Sequence, residues 1–183
     1  MQLSLLVKKC ALNLDYLLEH QCKDGSWAIF YGAKGCISTT TEAYMALKLA
    51  GFPLDCPEME KAREFILANG GIKSVRVFTK IFLALFGQIP WSVLPAMPVE
   101  FSLIPKWFPF NIYEMSSWSR SVIVPLLLIY ERPPVFLLSN EKSVRELFTE
   151  NDHDLTPQYS EGGLCWHNFF IWLDRAIKLL SKL

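Results

Sequence analysis

The sequence predicts an all-α chain, and three observations carry that expectation. Apolar residues recur at three- and four-residue spacing along most of its length. Glycine, asparagine and proline fall where those periodic stretches end or begin. An amphipathic segment, PEMEKAREFILA, is followed by one that is apolar almost all round, VRVFTKIFLALFG. That alternation suits a double ring, in which outer helices face water while inner helices face both neighbours and a cavity.

Element by element, Leu14, Leu17, Leu18 and Gln21 lie on one side of a first helix that stops at Asp24-Gly25. A second begins near Ser38 to Thr41, where Thr39 and Glu42 have capping-box spacing, and ends at Gly51. The third opens with Pro57 behind a cap at Asp55 or Cys56 and closes on Asn69-Gly70-Gly71. Ser74 is the candidate cap of the fourth, whose apolar surround predicts burial on several sides. Prolines 90, 95, 98, 105 and 109 then limit the chain to short turns and loops. A fifth helix runs from Ser116 or Ser117 to Glu131 with a kink expected ahead of Pro125. A short helix is expected from Asn140 to Phe148, then a polar surface loop to Gly163. The last helix, from Trp166 to Leu183, sets Trp166, Phe169, Phe170, Leu173, Ile177 and Leu180 against Asp174, Arg175, Lys178 and Lys182. Two partners are open for that aromatic face: the helices already named, or something beyond them.

Composition narrows the function classes. Of 183 residues 51% are hydrophobic and 14% aromatic, enough for a large core or an apolar cavity. Eighteen basic residues cancel eighteen acidic ones, so no field draws in nucleic acid. The 5 cysteines are dispersed and form no CxxC pair, which favours reduced thiols in a cytosolic setting. With 3 histidines and no HExxH, the nearest ligand spacing is Cys165 and His167, for which ordinary packing is the simpler account. The apolar MQLSLLV start lacks the basic residue and length of a signal peptide. Val122 to Tyr130, the longest apolar run, is too short to span a bilayer.

At QCKDGSW the chain shows a named motif. Gln21, Gly25 and Trp27 resemble the QxxxGxW repeat of triterpene cyclases, the QW motif, which also occurs in other α/α-toroid proteins. Its logic is physical: glutamine bonds backbone groups left open at a neighbouring helix end, glycine allows the turn, and tryptophan fixes the geometry. TTTEAYMALKLAG, GGIKSVRVFTKIFLALFGQIPW and MPVEFSLIPKWFPFNIYEMSSWSRSVIVPLL look like consecutive blocks of squalene–hopene cyclase, in the family's order. LCWHNFFIWLDRAIK resembles the next block, so the resemblance covers nearly everything from Leu14 onward.

That resemblance implies an incomplete α/α toroid, residues 1 to 183 forming one partial domain of the family's N-terminal barrel. It implies carbocation cyclisation of squalene to hopene-type polycycles, with neither metal nor organic cofactor. The family enzyme is more than three times this length and carries its protonating acid in a later DxDD motif. No DxDD occurs here, and Asn151-Asp152-His153-Asp154 has the wrong order of side chains. The expected role is therefore pocket wall without the acid, with no catalytic residue assigned and a complementing chain bearing DxDD as a possible partner.

The resemblance also points Phe78, Phe82 and Trp118 toward the cavity, with Ser119 beside them. Phe82 stands where better-known members carry tryptophan. By spacing alone, two phenylalanines four apart on an apolar helix read as core. Arg76 falls at a position of polar contact, Glu42 at a second, and the two are candidate partners; capping is the other role open to Glu42. Met115 and Ile123 match positions near the entry channel, or pack ordinarily. Squalene lives in the bilayer, so the resemblance implies a cytoplasmic enzyme held peripherally at the inner membrane face, with the last helix and IPKWFPF as candidate contacts. Two other classes remain open: an apolar-lipid-binding helical module and an inactive remnant. A prenyltransferase reading is weaker, because that family's zinc ligands have no counterpart here.

Overall fold

Helix entry and exit follow backbone chemistry closely in this chain. The computed structural model describes residues 13–108, 111–149, 155 and 165–180. Residues 13–19 form α1. It is followed by α2 (Ile37–Ala50), α3 (Pro57–Ala68), α4 (Val77–Leu85), α5 (Ser117–Glu131) and α6 (Trp166–Leu180), with short 3₁₀ turns between. The fold is all-α: among the described residues the only β pairing is an isolated bridge between Ala28 and Gly35. The chain gathers into two compact units, Met1–Gln88 with Leu137–Leu155 and Ile89–Phe136 with Thr156–Leu183.

In the first unit α2 packs against α3 and α4, and the 3₁₀ turn Arg145–Leu147 lies on α3. Tyr44, Leu47, Met59, Ile66, Ile72, Leu83, Val144 and Leu147 fill its core, all essentially without solvent exposure. Gly51 ends α2 in the left-handed region at φ 93°, where its N–H and that of Phe52 return to the last carbonyls. Pro57 opens α3 behind Cys56, as the sequence predicts.

Four local expectations are corrected. Thr39 and Glu42 form no capping box: α2 starts at Ile37 behind Cys36, without a side-chain cap, so both lie inside the helix. Ser74 does not cap α4, because it belongs to the 3₁₀ turn Gly71–Ser74. Ser38 accepts from the Arg76 N–H at 2.9 Å instead, serving α4 from across the unit. α4 is not buried all round: Thr79, Ile81, Leu83 and Ala84 face inward while Val77, Phe78 and Phe82 are exposed. Between Asn140 and Phe148 the chain makes two 3₁₀ turns rather than one helix.

In the second unit α5 packs on the 3₁₀ turn Val99–Leu103 and runs on through Pro125. Ser116 caps it by accepting from the Ser119 N–H at 3.2 Å. Buried Asn111 orders the proline-rich approach. Its Nδ2 donates to the Phe108 and Lys106 carbonyls, and its Oδ1 accepts from the Tyr113 and Glu114 N–H groups. The apolar start and Asn151–Asp154 lie outside the described residues.

Candidate functional site

The Gln21, Gly25 and Trp27 corner is a hydrogen-bonded joint. Gln21 Nε2 donates to the Gly25 carbonyl at 2.9 Å and to the Glu58 carbonyl in the first turn of α3 at 2.8 Å. Gly25 has φ 82°, and a Cβ there would sit 2.5 Å from the Lys61 backbone, so both conformation and space demand glycine. Buried Trp27 donates its indole N–H to the Leu17 carbonyl at 2.7 Å, while its backbone N–H donates to Thr40 Oγ1 at 3.0 Å. α1, α2 and α3 are thereby tied together through three side chains.

This joint sets the position of α2, and α2 in turn holds α4. Thr79 on α4 donates to Glu42 Oε1 at 2.6 Å. Among the described residues no Arg76–Glu42 ion pair forms, and Arg76 is exposed. One Glu42 oxygen accepts from the Thr79 hydroxyl instead. Phe78 and Phe82, one turn apart on α4, are 55% and 50% exposed and share a side of the helix. Side chains of the first unit's core would be enclosed; these two are not.

The remaining candidates belong to the second unit. Trp118, in the first turn of α5, is 75% exposed, while Met115, Ser119 and Ile123 are half-buried. The Ser119 hydroxyl lies 2.9 Å from that of Ser116, so it is engaged at the cap of α5. The structure thus sets Phe78 beside Phe82 on one helix and Trp118 beside Ser119 on another.

α6 is oriented against simple amphipathic expectation. Asp174 accepts from the Ala96 N–H, and Lys178 bonds Asp174 at 2.7 Å and the Ser92 carbonyl at 3.0 Å. Those polar residues and buried Ile171 face the unit, while Trp166, Phe169, Phe170 and Trp172 are exposed. Within its own unit, the helices already present do not cover this aromatic face.

Two features are absent from the sequence-level picture. Lys48, buried in α2, pairs with Glu146 and donates to the Ser143 carbonyl, while Tyr44 donates to Glu146 at 2.8 Å. Burial, and then the neighbouring Glu146, push the Tyr44 hydroxyl well above the ordinary tyrosine range. Its sequence signal is a lysine inside the apolar run AYMALKLAG, four residues after Tyr44. The second is a cavity of about 510 Å³ in the second unit, lined by Trp91, Met97, Glu100, Tyr130 and Ile177 among others. No group of three His, Cys, Asp or Glu side chains able to hold a metal occurs among the described residues.

Comparison with known proteins gives this geometry its context. The family model for the squalene-hopene cyclase N-terminal domain matches residues 7–183. A squalene hopane cyclase of Aspergillus fumigatus is 48% identical over 91% of the chain, and a squalene–hopene cyclase of Alicyclobacillus acidocaldarius is 43% identical over 92%. A dammaradiene synthase of Dryopteris crassirhizoma is 39% identical over 92%. The chain spans 20%, 26% and 24% of these relatives' lengths respectively. On the motif joint, the helical fold and these matches together, the chain belongs to the squalene–hopene cyclase family, in its N-terminal domain.

Proposed function

We propose that this chain supplies part of the wall of an apolar, aromatic-faced chamber in which a squalene-like triterpene is cyclised through carbocations, while the protonating acid comes from another segment. The exposed Phe78, Phe82 and Trp118 carry this reading, since large aromatic side chains left out of both unit cores need an apolar occupant. Ring faces attract a cation through their quadrupole yet react with it reluctantly, which suits a wall around a migrating positive charge. A rigid backing also holds the polyene folded for ring closure. The QW joint and the Glu42–Thr79 bond provide that backing under α4. Residues 1 to 183 then act as one partial domain of the N-terminal barrel, and no metal or organic cofactor enters the reaction.

The same reading sets the intact enzyme peripherally on the inner face of the membrane, where its hydrocarbon substrate resides. No helix among the described residues is long and apolar enough to cross a membrane. The uncovered aromatic face of α6 also favours a second reading, an apolar-lipid-binding helical module. The experiment is to incubate the full chain with squalene, alone and with a polypeptide bearing the DxDD segment. Saturable binding with squalene recovered unchanged from the chain alone, and polycyclic product only with the second polypeptide, is the expected result. Product from the chain alone overturns the wall-only role. Binding without product in either case leaves the lipid-binding module as the better account.

A further inference from the structure

The cavity of the second unit has a chemistry of its own. Its volume of about 510 Å³ lies in the range of small-molecule sites. Leu94, Met97, Pro98, Val99 and Ile177 give it a mostly apolar lining. Two further lining residues each carry a buried polar atom with no hydrogen-bond partner: the Trp91 indole nitrogen and the Tyr130 hydroxyl. Their rings meet edge to face with centroids 5.4 Å apart, and the two polar groups do not bond each other. Leaving such a group buried and unpaired is costly, and native proteins leave few of them.

The residue types define what would satisfy both. An indole N–H can only donate, so the missing partner must present an acceptor; a phenol can donate to the same acceptor or accept in return. Charge then selects among acceptors. Glu100 and Glu131 line the cavity, and Asp174 stands near enough to Tyr130 to help burial raise its hydroxyl to about 12. Lys178, which also lines it, is already bonded to Asp174 and to the Ser92 carbonyl. An anion entering this surround meets net repulsion, whereas a neutral oxygen does not.

We propose that this cavity binds a neutral, largely hydrocarbon molecule through a single hydroxyl or carbonyl oxygen that accepts from the Trp91 indole N–H and shares a hydrogen bond with the Tyr130 phenol. Such a ligand differs from squalene, which has no oxygen, and the site does not depend on the wall reading.

The test uses the full chain with ¹⁵N-labelled tryptophan and three probes of equal length: 1-octanol, octane and octanoate at pH 8. Trp91→Phe identifies the Trp91 indole resonance, and Tyr130→Phe keeps the ring contact while removing the hydroxyl. 1-Octanol should move that resonance saturably, octane should not, and octanoate should bind at least about tenfold more weakly. Measured by titration calorimetry, which needs no indole reporter, each substitution should weaken 1-octanol binding by about tenfold, the loss of one hydrogen bond. A resonance that responds alike to octane and 1-octanol, that never saturates, or that favours octanoate overturns the proposal. So does undiminished 1-octanol binding in both variants. Should either variant fail to fold by circular dichroism, sequential assignment on the uniformly labelled unsubstituted chain identifies the Trp91 resonance, and the probe series there decides alone.

Discussion

A methyl group at residue 25 would have to displace the Lys61 backbone and hold φ at 82° with a side chain present. Gly25→Ala should therefore destabilise the first unit by roughly 3 kcal/mol, the sum of left-handed strain and a clash against main chain. A urea midpoint within error of the parent chain would contradict it. Tyr44 gives a prediction with a sign. Its raised pKa means the folded chain keeps the phenol proton to higher pH than the unfolded chain does. The stability this contributes is complete below about pH 10 and is lost as pH rises beyond it. Tyr44→Phe should flatten the alkaline fall in urea midpoint between pH 9 and 11, at a cost of about 1 kcal/mol at neutral pH for the lost bond to Glu146. An alkaline limb as steep as the parent's would count against it. At this scale the sequence was most legible where a motif had one physical solution. Gln21, Gly25 and Trp27 form the joint their types imply, whereas Glu42 turns to Thr79, a partner brought near only by packing of α4 on α2.

Helix ends were legible to the extent that their signals are local. Gly51, Pro57 and Ser116 act on adjacent backbone and stand where expected. Ser38 accepts from the N–H of Arg76, the residue that precedes α4, from 38 residues away, which no local pattern could reveal. The Asn140–Phe148 segment is held by long-range contacts: Val144 and Leu147 are buried in the core, Ser143 and Val144 bond Gln88, and Lys48 pairs with Glu146. Lys48→Met should cost about 2 kcal/mol, below the usual toll of breaking a buried pair because Glu146 keeps 22% exposure. Lys48→Met with Glu146→Leu and Tyr44→Phe, which leaves no member of the cluster unpaired, should recover most of that loss, and a triple variant weaker than Lys48→Met alone would contradict the desolvation argument. For α6 the helical period is plain in the sequence but the docked side is not: Asp174 and Lys178 dock the helix by hydrogen bonds, Ile171 is buried and Ile177 lines the cavity with Lys178, while the aromatic residues stay open. Phe169→Ser with Phe170→Ser should change stability by less than about 1 kcal/mol. The same pair should weaken binding to neutral phosphatidylcholine vesicles by about tenfold or more, given the apolar area removed. Vesicle binding that is unchanged would remove α6 from the membrane contact.

For the molecule as a whole, the helical class was readable because period and punctuation agree along the chain, and the family because several blocks match in order. The role of the aromatic side chains was not, since an apolar helix inside a core and one lining a chamber have the same pattern. Exposure rules out the core alternative for Phe78, Phe82 and Trp118, which lie outside the packing of their own units; the chamber role is what we propose for them. The most direct measurement is photolabelling of the full chain with a diazirine-bearing squalene analogue, mapped by mass spectrometry with and without excess squalene. Adducts at Phe78, Phe82 and Trp118 that excess squalene suppresses are the predicted result. Squalene-protected labelling confined to α6, or none at all, would contradict the claim that these residues face the substrate.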